Sequence, residues 1–245
     1  MNYLNKLPTI YIGYDPKEEE YYRKLKASIE RHCSRKQYNI VPLVQKELRK
    51  IGLYTRGSVY KDGQSYDMHD NRPFSTEFSF TRFLVPHLNQ RNGLALYMDC
   101  DMLVTSDITE VFDTYGSDAY FPISCVKHDY VPLETKKFDG SVEQTTYYRK
   151  NWSSFVLWNC NHPEIDKMTV SDVNTKPGSW LHGFKWLKDE MIGSIPHEWN
   201  WLDGHSPIDM VPKNIHFTTG GPLYLTWRGK RDIDTKYAVD WRYEF

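Results

Sequence analysis

Asp99 and Asp101 flank Cys100 directly after the apolar run Gly93-Leu94-Ala95-Leu96-Tyr97-Met98. Two residues apart on extended chain, their side chains point the same way. Hard carboxylate oxygens so placed can hold Mg²⁺ or Mn²⁺ and leave coordination positions for diphosphate oxygens. A metal held there would assist a departing diphosphate as a Lewis acid. The bland reading is a turn pair that caps the segment after it. Position favours the metal: the apolar run reads as a buried central strand. An acid at its end is costly to desolvate, and a cation offsets that cost.

The elements that must position this pair read as an α/β domain. Thr9-Ile10-Tyr11-Ile12-Gly13-Tyr14 predicts a first strand. Asp15-Pro16 then starts a helix to about Cys33, with Asp15 as N-cap, Pro16 at the first helical position, and Glu18, Glu19 and Glu20 complementing the dipole. Leu25 and Ile29 share one helix face. Asn39-Ile40-Val41-Pro42-Leu43-Val44 predicts a second strand, and the strand–helix–strand opening implies a parallel sheet. Residues 52–73 read as a long loop or short hairpin, and Ser75 to Leu88 has helical period. Further on, the pattern predicts a short helix over 107–115, strands over Ala119–Ser124 and Trp152–Trp158, a helix over 182–192, and a short strand or turn at Asn214-Ile215-His216-Phe217. The last thirty residues resist assignment. In open α/β sheets the ligand crevice lies outside the carboxyl ends of the strands, where Asp99 and Asp101 fall.

The 245 residues show no linker, repeat or low-complexity tract, so a single domain is expected. A net charge of −1 gives no electrostatic footprint for nucleic acid or an acidic membrane. Lys136-Lys137 reads as solvated surface; Arg228-Gly229-Lys230-Arg231 is the other basic cluster. No segment reads as a signal peptide or membrane span. Four scattered cysteines (Cys33, Cys100, Cys125, Cys160) form no zinc pattern, which suits a reduced, cytoplasmic setting. Eight Trp and eighteen Tyr are enough to build core and still leave flat platforms for sugar rings or bases.

Leu96-Tyr97-Met98-Asp99-Cys100-Asp101-Met102-Leu103-Val104 resembles the LYLDxDxxV segment of GT-A glycosyltransferases, especially glycosyltransferase family 8, the glycogenin and lipopolysaccharide galactosyltransferase type. Thr81-Arg82-Phe83-Leu84-Val85-Pro86 resembles the xRxxxP helix before that strand. Trp152 to Asn159 (WSSFVLWN) resembles NxGVMLxN, and His216-Phe217-Thr218-Thr219-Gly220 resembles HFxG. These four elements, in the family's order, span roughly residues 9 to 225. The resemblance implies a GT-A, Rossmann-like fold with a mixed, mainly parallel sheet flanked by helices. It implies a nucleotide-binding half over about 1–110 and an acceptor half over about 111–245. It implies a metal-dependent hexosyltransferase that uses Mn²⁺ or Mg²⁺ and a nucleoside diphosphate sugar, with UDP as the family default. It implies transfer to a hydroxyl acceptor with retention of configuration.

By the same resemblance Asp99, Asp101 and His216 bind the metal, and Asp99 also reaches the donor. Arg82 contacts the donor diphosphate or sugar; its alternative is an ion-paired helix arginine. Tyr14 and Asp15 lie near the nucleoside, although capping explains Asp15 equally well. Asp189 is the candidate sugar-hydroxyl ligand, with Glu190 second, because Lys188-Asp189-Glu190 corresponds only loosely to the family's DQD. Trp199-Asn200-Trp201 resembles a WN segment near the acceptor cleft, or is core. Three departures stand out. The family's Lys after HFxG is missing from Gly220-Gly221-Pro222-Leu223-Tyr224-Leu225-Thr226-Trp227, so Arg228, Lys230 or an anion nest at Gly220 and Gly221 would replace it. The glycine of NxGVMLxN is missing from Ser153-Ser154-Phe155-Val156-Leu157-Trp158-Asn159. The DQD register is loose.

Two other classes compete. Haloacid-dehalogenase-like phosphohydrolases also place DxD after an apolar strand, usually near the N-terminus and followed by Thr or Val two residues on; here Leu103 stands there. A non-enzymatic carbohydrate-binding protein would use the aromatic surface alone. A nucleotidyltransferase needs a Gly-rich, Arg-containing loop that Ile12-Gly13-Tyr14-Asp15-Pro16 lacks.

Overall fold

The computed structural model describes residues 7–35, 37–118, 120–129, 136–137, 142–143, 149–218, 221–223, 229 and 231–243. β1 (Thr9–Tyr14) leads through a 3₁₀ turn at Pro16–Glu18 into α1 (Glu19–His32), then β2 (Asn39–Val44) and α2 (Gln45–Lys50). Asp15 caps as its position predicts, accepting from Lys17 N at 2.9 Å. α1 buries Tyr21, Lys24, Leu25, Ser28 and Ile29. The segment read as loop or hairpin forms a small antiparallel sheet of β3 (Ser58–Lys61), β4 (Gln64–Asp67) and β5 (Pro73–Phe74).

The helix expected over 75–88 is broken. Turns lead to a 3₁₀ segment at Thr81–Leu84 and a single turn of α3 (Val85–Leu88). Pro86 lacks the N–H that would bond back to Arg82. Phe78, Phe80, Phe83, Leu84 and Val85 are all buried, so the segment is packed from several sides and presents no single apolar stripe.

β6 (Leu94–Met98) and β7 (Met102–Val104) bracket the Asp99–Asp101 segment. A π-helical turn at Val111–Tyr115 fulfils the expected short helix. The next strand, β8, runs Ile123–Val126, later than read, because Pro122 cannot donate to a ladder; Ala119 lies outside the described residues. β9 (Lys136–Lys137) pairs with β10 (Val142–Glu143). A 3₁₀ turn at Trp152–Ser154 feeds β11 (Phe155–Asn159), followed by α4 (Val170–Thr175) and α5 (Gly178–His182). The helix expected over 182–192 is absent: α5 ends where it was to begin. A Cβ at Gly183 would crowd the Ser179 carbonyl, and Phe184 turns the chain at φ +46°. A 3₁₀ turn at Asp189–Met191 then enters β12 (Ile192–Ile195). β13 (Trp201–Leu202), β14 (Asn214–His216) and α6 (Asp232–Arg242) complete the chain. α6 lies in the stretch that resisted assignment. It carries acidic residues in its first turn and buries Asp234, Ala238 and Trp241.

The main sheet runs β12-β8-β11-β6-β1-β2, parallel except for β11. Alternation along β1 and β6 divides the core between its two faces. Ile10, Ile12, Leu96 and Met98 pack with α1, Trp199, Trp201 and Trp241. Tyr11, Ala95 and Tyr97 pack with Phe83, Leu84, Leu181 and Phe184. Burial on both faces explains the unbroken apolar reading of β6. None of the four cysteines forms a disulfide. No helix among the described residues is long and apolar enough to cross a membrane.

One buried pair ties the small sheet to the body. Arg56 grips Asp67 bidentately, Nε to Oδ1 at 2.8 Å and Nη2 to Oδ2 at 2.6 Å. Arg56 Nη1 reaches the Val173 carbonyl of α4 at 3.0 Å. Both side chains are 1% exposed. Asp67→Ala strands a buried guanidinium and is expected to cost about 3–5 kcal/mol, measured by urea unfolding. A loss under about 0.5 kcal/mol would show that the pair does not anchor the sheet.

Candidate functional site

The carboxylate pair sits at the carboxyl edge of the parallel strands. β1 and β6 pair with Ile12 opposite Met98, so Tyr14-Asp15 and Asp99–Asp101 leave the sheet on the same side. Asp99 N donates to Ser154 O at 2.9 Å, which fixes the Trp152–Ser154 turn beside it. Asn151, ahead of that turn, has φ +64°. Asparagine tolerates this conformation better than most residues.

β7 and β14 are antiparallel, with His216 opposite Met102. Phe217 N donates to Asp101 O at 2.9 Å. This register carries the imidazole across more than a hundred residues to the carboxylates. Asp99, Asp101 and His216 each offer one ligand atom, all within 4.8 Å of one another. His216 Nε2 lies 3.3 Å from Asp101 Oδ1. Its Nδ1 lies 2.9 Å from Asn200 Oδ1. Asn200 Nδ2 donates to Ser154 Oγ at 3.0 Å and toward Asn151 O at 3.4 Å. A carbonyl only accepts, so these bonds orient the amide and place the imidazole proton on Nδ1. In the neutral ring the Nε2 lone pair then faces a carboxylate oxygen. Two acceptors at that separation require a proton or a cation between them. An outer amide fixing the imidazole tautomer is the arrangement metal-binding histidines use. The donor set of two carboxylates and one imidazole suits Mn²⁺ or Mg²⁺.

Asp99 is held differently. Tyr97 Oη donates to its Oδ1 at 2.6 Å. Arg82 Nη1 approaches its Oδ1 at 3.0 Å and Oδ2 at 3.3 Å, and donates to Ser153 O at 3.0 Å. Burial pushes the Asp99 carboxyl above the usual range; the Arg82 charge opposes that shift. Burial also holds the Tyr97 phenol well above its ordinary value, so it stays a donor. Gly13 makes room: a Cβ there would stand 2.6 Å from the Phe78 ring and 2.7 Å from Tyr97 Oη. Arg82 is thus an ion-paired arginine and also a wall of the site.

Beside these groups opens a cavity of about 490 Å³, lined by Arg82, Asp99, Asp101, Asn151, Ser153 and Ser154. The lining also includes Asp70 and Phe74 of the β4–β5 hairpin, Phe78 and Phe80 from the turns that follow it, and Ser179 and His182 of α5. Asp15 and Tyr14 are not among its lining residues. Asp15 uses its second oxygen on Glu77 N at 3.0 Å, and Tyr14 sets its ring edge-on to Tyr22. Asp189 pairs with Arg149, keeps its side chain 68% exposed and stands apart from the cavity lining. Glu190 is exposed beside Lys188. Gly220, Arg228 and Lys230 lie outside the described residues. Gly221 is described, at φ +65° against Tyr21. Trp199 and Trp201 are fully buried core, and Asn200 between them is the residue that reaches His216.

Sequence alone assigns no role to Tyr97, Ser153, Ser154 or His182, and places Asn200 only in a segment near the acceptor cleft or in the core. Tyr97 was findable, because it shares a strand face with Asp99. No spacing links Asn200 to His216; the link is the parallel pairing of β13 with β14, Leu202 opposite His216.

The fold is that of GT-A-like glycosyltransferases. The galactosyltransferase LgtC, solved with donor and acceptor sugar analogues, matches with a TM-score of 0.56 at 15% identity, over 96% of this chain and 94% of LgtC. The bifunctional glycosyltransferase WbbM matches with a TM-score of 0.54 at 16% identity, over 91% of this chain. The chain spans 48% of WbbM's length. At such identities the likeness is one of fold. In sequence, the chain is 44% identical to Protein CDI of Arabidopsis thaliana over 237 residues, 95% of this chain and 83% of that protein, and it belongs to that protein's family. No protein-family model matches it.

Removing Arg82 leaves Asp99 buried without its cation. In metal-free protein, Arg82→Ala is expected to cost about 3 kcal/mol at pH 7. Asp99 titrates above its unfolded value when folded, and more so without Arg82. Its protonated form therefore favours the fold in acid, and that advantage is lost as pH rises through the folded pKa. The Arg82→Ala deficit should thus be smaller at pH 5 than at pH 7 in urea melts with chelator. A pH-independent deficit would rule out this electrostatic origin.

Proposed function

We propose that the chain is a metal-dependent glycosyltransferase of the family 8 type, moving a hexose from a UDP-sugar to a hydroxyl acceptor with retention. One observation carries the reading: Asp99, Asp101 and His216 converge at the carboxyl edge of the sheet, and the two carboxylates line a cavity large enough for a sugar. We assign the nucleotide to the half over about 1–110 and the acceptor to the half over about 111–245. The absence of disulfides is in keeping with a cytoplasmic setting.

Asp99, Asp101 and His216 would hold Mn²⁺ or Mg²⁺, with Asn200 keeping the imidazole in register. Bound there, the metal supplies Lewis-acid stabilisation of the departing diphosphate. Arg82 adds a fixed cation at the same wall, pre-oriented by Asp99 and the Ser153 carbonyl. Asp70, the remaining carboxylate of the cavity, is held by Arg72 N and Gly178 N, each at 2.9 Å. A group so engaged is poorly placed as a covalent nucleophile. Catalysis then rests on orientation and charge stabilisation, the acceptor hydroxyl passing its proton toward the leaving diphosphate. The phosphohydrolase alternative needs an open Asp99 nucleophile, whereas Tyr97 and Arg82 clamp that carboxylate.

The test is sugar release or transfer from a panel of UDP-hexoses with Mn²⁺. Activity should vanish in EDTA and return with added metal. Asp101→Asn should lower kcat by about a hundredfold or more, the scale of losing one stabilising group at a developing anion. Full activity in EDTA would sink the metal role.

A further inference from the structure

The cavity also carries polar side chains that the proposed function does not use. His182, the last residue of α5, lines it. Ser153 Oγ lies 2.8 Å from His182 Nδ1. Ser153 is 1% exposed and is fixed at both ends: its carbonyl accepts from Arg82 and its hydroxyl meets the imidazole. The ring is set edge-on to Phe83 at 5.2 Å and tilted against Phe80 at 6.1 Å. Its position is therefore determined by packing as well as by a hydrogen bond.

Burial, seconded by the charges of Arg82, Lys150 and Arg56, holds the His182 imidazole well below its ordinary pKa and so neutral. A neutral imidazole offers one N–H and one lone pair, and a serine hydroxyl is likewise both donor and acceptor. That pairing matches a sugar hydroxyl, which also donates and accepts. Phe78 and Phe80 line the same cavity and add apolar surface beside these polar groups, which suits the C–H side of a pyranose.

We propose that His182, buttressed by Ser153, is a specificity-determining contact for a hydroxyl of the transferred hexose. The inference rests on the transferase reading: with the diphosphate at Asp99, Asp101 and His216, the sugar reaches into the cavity toward α5. A site built to hydrogen-bond a hydroxyl discriminates against an epimer that presents it elsewhere, because its own polar groups then go unmatched. Nothing in this role alters the grip on UDP itself.

The experiment titrates UDP, UDP-glucose and UDP-galactose, each with Mn²⁺, into wild type, His182→Gln and Ser153→Ala. His182→Gln should keep UDP affinity within about twofold, weaken the better hexose donor about tenfold, and narrow the preference between the two epimers. Ser153→Ala, a smaller change, should move in the same direction and guards against misfolding of the first variant. Equal losses for UDP and UDP-hexose would make His182 merely structural and overturn the proposal. Unchanged UDP-hexose binding would overturn it too. A wild-type protein that binds no UDP in Mn²⁺ would instead remove the transferase reading, and this inference with it.

Discussion

The register of β7 against β14 is the constraint on which the rest of the site depends. His216 stands opposite Met102, and Phe217 N bonds to the Asp101 carbonyl. Those backbone bonds set where the imidazole falls relative to two carboxylates far away in sequence. A slip of one residue would turn His216 to the other face of its strand. Burial makes such a slip costly, since Ile215 and Leu103 are locked in the core beside it.

Two chains of polar contacts then meet at the 151–154 turn. One runs from Tyr97 through Asp99 and Arg82 to the Ser153 carbonyl, and on through the Ser153 hydroxyl to His182. The other runs from Asp101 through His216 and Asn200 to Ser154 and Asn151. The turn is itself pinned by Asp99 N. Each carboxylate thus has its own support, from opposite faces of the sheet. Polar networks of this kind are rigid where their members are matched, because a group left unmatched in a low dielectric is penalised. Rigid placement is what stabilisation of a leaving diphosphate requires.

Much of this was legible in the sequence where chemistry is local. The first strand, the Asp15 cap, the buried run ending at Asp99, and the Asp99–Asp101 pair all follow from periodicity or neighbouring residues. His216 was reached through resemblance, and the fold places its ligand atom within 4.8 Å of both carboxylates. What stayed hidden depends on pairing between distant segments. Asn200 sits between two core tryptophans and looks like packing until β13 lies beside β14. His182 was read as the start of a helix that in fact ends there, because Gly183 and Phe184 reverse the chain. Phe78 and Phe80 fall in the segment expected to be helical, yet both line the cavity. The Trp-rich composition went chiefly into core: Trp158, Trp199, Trp201 and Trp241 are fully buried.

The central claim is that Asp99, Asp101 and His216 together hold a divalent cation that binds a nucleoside diphosphate. Pulsed EPR of Mn²⁺ with the protein and UDP addresses it directly. The account predicts ¹⁴N coupling from one imidazole and ³¹P coupling from the diphosphate on the same Mn²⁺, with the nitrogen signal lost in His216→Gln. Mn²⁺ that shows phosphorus but no nitrogen coupling in the wild-type protein would contradict it.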